Sequence, residues 1–265
     1  RATRRAGGRP GGGLRDAESA CRVAPSRLAS EGTGRHRLAT DDVWRKARLA
    51  MEINRPRAAA AAVEIVAPDA LPALAEVNAS PSKFLTRRVT AVSRTRKELV
   101  VLALIKLATS DPDNAARLLE SKWGPQLSPE ERNWVWGVLG RQAAQRLQSA
   151  DALAYFAKVR RDSDLVDDML AWKARAALRG STGPQWDTLL DAIDAMGEDL
   201  QPDTTWRYWK ARALLASERP SLRAEATRIL ESIASPRGFY EQLALEELGR
   251  PIAVPPPPAP LTAEE

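Results

Sequence analysis

The residues best suited to covalent chemistry are scarce in this 265-residue chain and sit in the wrong place for it. There is one cysteine, Cys21, and one histidine, His36. A thiolate–imidazole or hydroxyl–imidazole pair needs such a base held by a folded frame, yet the sequence from residue 41 onward contains neither residue type. One cysteine forms no internal disulfide, and one Cys with one His falls short of a zinc ligand set. No catalytic, cofactor-binding or metal-ligating residue is therefore assigned, and no cofactor is expected. The aromatic side chains point another way. Eight are Trp against three Phe and three Tyr, and Trp136, Trp172 and Trp209 fall 36 and 37 residues apart. An indole at a regular step either packs between helices or offers a face for a sugar ring.

The elements that must position these tryptophans are helices. Trp172-Lys173-Ala174-Arg175-Ala176 recurs as Trp209-Lys210-Ala211-Arg212-Ala213, and repeats of this length mark stacked helix pairs. Leu165, Met169, Trp172 and Ala176 form one stripe at helical spacing. Trp206, Trp209 and Ala213 form a second, and Trp136, Gly140, Ala143 and Leu147 a third. A further step back reaches Val100, which suggests a weaker fourth copy. Small residues flank each Trp (Gly137 and Gly140, Ala174 and Ala176, Ala211 and Ala213) and let neighbouring helices come close. The second helices carry Trp186, Leu189, Leu190 and Ile193, then Leu222, Ala226, Ile229, Leu230 and Ile233.

Local signals set the boundaries. Thr40-Asp41-Asp42 opens a helix with Val43, Ala47, Ala50 and Met51 on one face. An alanine-rich helix follows over 58–67. Residues 68–93, punctuated by Pro68 and Pro72 and with Ser80-Pro81 starting a further segment, read as the least regular part of the body. An apolar helix spans 97–109. Asp111-Pro112 caps a helix over 113–122, and Ser128 with Glu131 forms a capping box for one running to about Leu147. Helices over 150–159, 164–179, 184–196, 202–216, 222–234 and 236–248 complete the series, the last stopped by Gly249 and Pro251. Hairpin signals are absent. The expected fold is all-α, a right-handed α-α superhelix of tetratricopeptide-like helix pairs over 39–250.

Charge is uneven. Residues 1–40 carry nine Arg and three acids, while residues 41–265 carry 31 basic and 31 acidic groups. The net charge of +6 thus belongs to the N-terminal stretch, and the neutral body offers no footprint for nucleic acid. Residues 1–38, glycine- and arginine-rich without period, read as a disordered or atypical leader, with an RNA-binding basic tail as the sharper alternative. The longest apolar run, Leu99–Ile105, is too short to span a bilayer. No signal peptide is legible, but the chain begins at Arg1, so this says nothing of compartment. Residues 251–265, with prolines at 255–258 and 260, read as an extended, semi-rigid linker.

Two functional readings arise. The repeat alone describes a non-enzymatic, tetratricopeptide-like protein-interaction scaffold. The second is a resemblance. Trp206-Arg207-Tyr208-Trp209-Lys210-Ala211-Arg212-Ala213-Leu214, then Gly238-Phe239-Tyr240-Glu241-Gln242-Leu243-Ala244 and Glu246-Glu247-Leu248-Gly249, resemble the end of the superhelical region of the soluble lytic murein transglycosylases. Glu241 stands where that family has Gly. Thr40-Asp41-Asp42-Val43-Trp44 and Arg48-Leu49-Ala50 resemble its earlier helices. The resemblance implies cleavage of the β-1,4 bond between N-acetylmuramic acid and N-acetylglucosamine. The muramyl 6-hydroxyl attacks internally, leaving a 1,6-anhydro product, and one glutamate serves as acid and then base. In the family that glutamate lies in a lysozyme-like domain after the superhelix, in a Glu-Ser-x-Phe setting with Gly-Leu-Met-Gln beyond. Glu120-Ser121-Lys122-Trp123 imitates it at the end of a repeat helix, without the second segment. Glu231-Ser232 is followed by Ile233, a core position. The resemblance therefore implies the superhelical scaffold without the catalytic domain, inactive alone and periplasmic. Its partners are peptidoglycan strands, the lysozyme-like domain that follows, and other cell-wall enzymes as candidates.

Overall fold

The computed structural model describes residues 40–88, 90–217 and 219–252. Cys21, His36, the 1–38 leader and the prolines at 255–258 and 260 lie outside them. Among the described residues there are thirteen α-helices and no strand, so the all-α expectation holds. Among the described residues no helix is long and apolar enough to cross a membrane. The chain divides into two compact units after Leu74.

In the first unit, α1 (Thr40–Glu52) packs on α2 (Pro56–Val66). The expected stripe of Val43, Ala47, Ala50 and Met51 is buried, together with Trp44. Asn54, at φ 55°, makes the left-handed turn that ends α1, a conformation Asn tolerates better than most residues. Pro56 starts α2 at a position where its missing N–H costs nothing. A short 3₁₀ turn (Pro68–Ala70) and α3 (Leu71–Ala79) follow, with the unit boundary inside α3.

The second unit continues with α4 (Pro81–Arg87), α5 (Arg94–Ser110), α6 (Pro112–Leu118), α7 (Pro129–Gln145) and α8 (Ser149–Phe156). Then come α9 (Asp167–Leu178), α10 (Trp186–Asp194), α11 (Thr204–Leu215), α12 (Pro220–Ile233) and α13 (Phe239–Glu247). The segment over 68–93 is more regular than expected. Pro68 opens a helical turn rather than breaking one, Pro81 opens a helix as expected, and residues 88 and 90–93 run without regular structure. Caps appear as read. Asp111 Oδ1 accepts from the Asn114 amide, and Ser128 and Glu131 exchange side-chain and backbone hydrogen bonds.

Each helix of this unit packs mainly on its neighbours in sequence: α7 on α8, α9 on α10, α11 on α12, with α9 also on α7 and α8. The small residues of α7 set the approach. A Cβ at Gly140 would lie 2.9 Å from three ring carbons of Phe156. One at Gly137 would lie 2.6 Å from Leu165 Cδ2.

The tryptophan series is only partly a packing series. Trp136 and Trp206 are buried, whereas Trp172 and Trp209 are half-buried. On α9 the inward positions are Met169, Leu170, Ala174 and Ala177. The register of α9 turns these positions inward and leaves Trp172 beside them, on the flank. Leu147, placed by periodicity in the Trp136 stripe, falls past the end of α7. It takes φ 63° and is 67% exposed. At the far end α11, α12 and α13 share one apolar cluster of Tyr208, Ala211, Leu214, Ala226, Leu230, Ile233 and Ala244. Gly249, at φ 66°, stops α13 as expected.

Candidate functional site

The helix expected over 113–122 gives way after Leu118 to one wide π-type turn, Leu119–Trp123. Such turns recur at functional sites. This one carries Glu120-Ser121-Lys122-Trp123, and every one of its side chains is engaged structurally. Glu120 pairs with Lys158. Ser121 Oγ donates to the Arg117 carbonyl (2.7 Å), and Lys122 Nζ to the Leu85 carbonyl (2.8 Å). Trp123 is fully buried. A glycosidase acid sits in a dry, apolar enclosure that keeps it protonated; Glu120 is half-exposed beside an ammonium. The second glutamate–serine pair is equally committed. Glu231 accepts from Arg250 (3.0 Å), Ser232 Oγ accepts from Arg207 (2.6 Å), and Ile233 is buried. Among the described residues no group of three or more His, Cys, Asp or Glu is placed to hold a metal ion.

The wide turn, α7 and the α8–α9 connection enclose a cleft of about 410 Å³. Its wall includes Glu120, Arg132, Trp136, Lys158 and Arg160, with Gly124-Pro125 at its edge. A buried polar staple fixes the connection. Asn133 Nδ2 donates to Asp164 Oδ2 (2.7 Å), while the Arg160 amide donates to Asn133 Oδ1 (3.1 Å). Arg161 Nε donates to Asp164 Oδ1 (2.8 Å), and Lys173 pairs with Asp162. The backbone of Arg160 is thereby tied to the helix that carries Arg132.

The indole faces are largely occupied. Trp136 stacks on Tyr155 with ring centres 6.0 Å apart, and Lys158 Nζ lies 5.4 Å from its ring centre. Arg175 reaches both Trp172 and Trp206, at 5.0 and 5.3 Å, within cation–π range. A sugar ring needs an open indole face, so the stacking alternative is not favoured at Trp136. Behind Trp136, Tyr155 OH donates to Asp113 Oδ1 (3.3 Å). Burial first, and then the Asp113 charge and hydrogen bond, hold the Tyr155 phenol above its ordinary range. Sequence reading missed the cleft because Arg132 and Arg160 belong to no motif and meet only through the Asn133 staple.

No model of a known protein family matches the chain. The soluble lytic murein transglycosylase of Salmonella typhimurium is 27% identical over 165 residues, covering 61% of this chain and 24% of that protein. Its Escherichia coli counterpart is 26% identical over 175 residues, covering 64% of this chain and 26% of that protein. The chain is thus similar to the soluble lytic murein transglycosylases. It spans about a quarter of the length of these curated transglycosylases and matches the family's helical superhelix region. Two solved transglycosylases share the fold. An inactive mutant of Slt from Pseudomonas aeruginosa superposes with TM-score 0.54 over 81% of this chain and 34% of that one, at 24% identity. The 70 kDa soluble enzyme of Escherichia coli does so with TM-score 0.54 over 84% and 35%, at 19% identity. The N-terminal region of these transglycosylases is an α superhelix. The two stretches that carry the transglycosylase resemblance touch each other here. Tyr208 and Tyr240 have ring centres 5.5 Å apart, in the cluster shared by α11, α12 and α13.

Proposed function

We propose that this chain is the superhelical scaffold of a periplasmic lytic transglycosylase that acts on murein, and that none of its own glutamates cleaves glycan. The observation that carries the reading is the match to the curated transglycosylases over the superhelix region, with both glutamate–serine imitations tied into structural contacts. On this reading the right-handed, tetratricopeptide-like stack holds a lysozyme-like domain of the whole protein and shapes the access of glycan strands to it. The general acid, the 6-hydroxyl attack and the 1,6-anhydro product belong to that domain. Scaffold and wall turnover are then linked by position, since a strand threaded past the stack is held in register with the cleavage site.

The test is direct. Purified residues 1–265 are incubated with murein sacculi, and the soluble fraction is examined for 1,6-anhydro muropeptides by mass spectrometry. None is expected, while a share of the protein sediments with the sacculi. Release of anhydro products by this chain would overturn the assignment of catalysis elsewhere. Absence from the pellet at low salt would overturn the murein scaffold.

A further inference from the structure

We infer that the cleft between the Leu119–Trp123 turn and α7 is a carboxylate-binding site that takes the short acidic stem peptide of murein. The inference rests on the scaffold reading and names what this surface recognises. Several cations of the second unit are spent on acids of the fold itself: Arg141 on Asp168, Arg161 on Asp164, Lys173 on Asp162, Lys210 on Asp194, Arg212 on Glu247 and Arg250 on Glu231. Arg132 and Arg160 are not. Among the described residues neither guanidinium has a hydrogen-bond or ion-pair partner, yet both line one cleft. The backbone that carries them is anchored. The Arg160 amide is bonded to buried Asn133, the residue after Arg132, and the Arg132 stem lies against Gly124. Two guanidiniums on one wall can each pair with the planar, two-oxygen edge of a carboxylate.

The remaining wall selects among anions. Glu120 stands beside Lys158 in the same cleft. It repels a polyanion but can accept N–H donors, so a ligand with both carboxylates and amide or amino groups suits the site. Leu119, Pro125 and Ala157 add apolar surface sized for small aliphatic side chains. The Trp136 ring meets Tyr155 and Lys158 and offers no free platform to a sugar. At about 410 Å³ the cleft lies in the range of small-ligand sites. In murein, carboxylates, amides and small aliphatic side chains occur together in the stem peptide rather than in the glycan.

The test is calorimetric titration of the full chain with the synthetic tripeptide alanyl-γ-glutamyl-lysine, with its fully amidated counterpart, and with inorganic phosphate. The acid peptide is expected to bind and the amidated one to bind at least about tenfold more weakly. Arg132→Gln and Arg160→Gln should each weaken the acid peptide about tenfold, with thermal melts like the parent. Arg228→Gln, which removes the same charge from α12, should leave binding unchanged. Equal binding by the Arg132 and Arg160 variants, equal binding of the amidated peptide, no binding of the acid peptide, or displacement by equimolar phosphate would each overturn the inference. Sacculus sedimentation separates the two readings. If the chain pellets with intact sacculi and equally with sacculi stripped of stem peptides, the cleft inference fails and the scaffold stands. If it pellets with neither, the scaffold reading fails too, and tripeptide binding would then have no murein context.

Discussion

Replacing Gly140 by alanine tests how closely α7 and α8 approach. In a free helix the change is favourable, stabilising by about 1 kcal/mol because glycine pays more backbone entropy than alanine. Here the new methyl would sit 2.9 Å from three carbons of the Phe156 ring, whereas carbons rest about 3.5–4.0 Å apart. Phe156 is 1% exposed, and its neighbour Ala152 is fully buried, so the ring cannot swing into solvent to relieve the overlap. Overpacking of this kind costs about 1–3 kcal/mol. The expected outcome of Gly140→Ala is thus a net loss of about 1 kcal/mol where propensity alone gives a gain. Urea denaturation followed by tryptophan fluorescence reads this mainly in the second unit, because Trp44 is the only one of the eight tryptophans in the first. The midpoint should fall with the slope unchanged. Phe156→Leu should cost less in the Gly140→Ala background than alone, giving a positive coupling in a double-mutant cycle. A raised midpoint for Gly140→Ala, or additivity of the two changes, would refute a close contact between these helices.

Three further outcomes are expected. Asn133→Ala should cost about 2–3 kcal/mol, since it strips buried Asp164 of a donor and the Arg160 amide of its acceptor; a loss under about 0.5 kcal/mol in the same urea assay would count against the staple. Ser128→Ala should cost about 1 kcal/mol by opening the capping box, read as a lower melting temperature by circular dichroism. In the alkaline range, the Tyr155 phenol is raised by burial and by Asp113, and the Tyr208 phenol by burial against the opposing pull of Arg212. Tyrosinate is then disfavoured in the fold, so the unfolded chain ionises first. The contribution is intact below the ordinary phenol pKa and lost as pH rises through the folded value. Stability should fall above about pH 10, and Tyr155→Phe should flatten that fall; an unchanged profile would contradict the burial of the phenol.

The helices were readable wherever a local signal coincided with the apolar period. Asp111-Pro112 and Ser128–Glu131 fixed two starts because capping is chemistry between residues three apart. Prolines are ambiguous. Pro68 reads as punctuation, yet a proline at the first helical position costs no hydrogen bond, so it opens a turn, as Pro81 does where a start is expected. The tryptophan spacing located the repeat but not the burial of each ring. Whether an indole faces inward depends on which positions the next helix covers, and on α9 these are Met169, Leu170, Ala174 and Ala177 rather than Trp172. The cleft was invisible for a related reason. Arg132 and Arg160 lie on different elements, and the buried Asn133–Asp164 bond that joins those elements leaves no mark in local sequence.

Because the helices of the second unit pack chiefly on their sequence neighbours, the unit has little need of long-range closure before it gains stability. Contacts so local favour fast assembly and let order begin in any pair and spread outward. The same pattern permits partial opening. α12 and α13 can release from α11 while the Asn133 staple around α7 stays closed, so amide exchange should be fastest at the α13 end and slowest in α5 and α7, whose side chains are the most completely enclosed. A stack that opens from one end gives way locally, pair by pair, long before it unfolds as a whole.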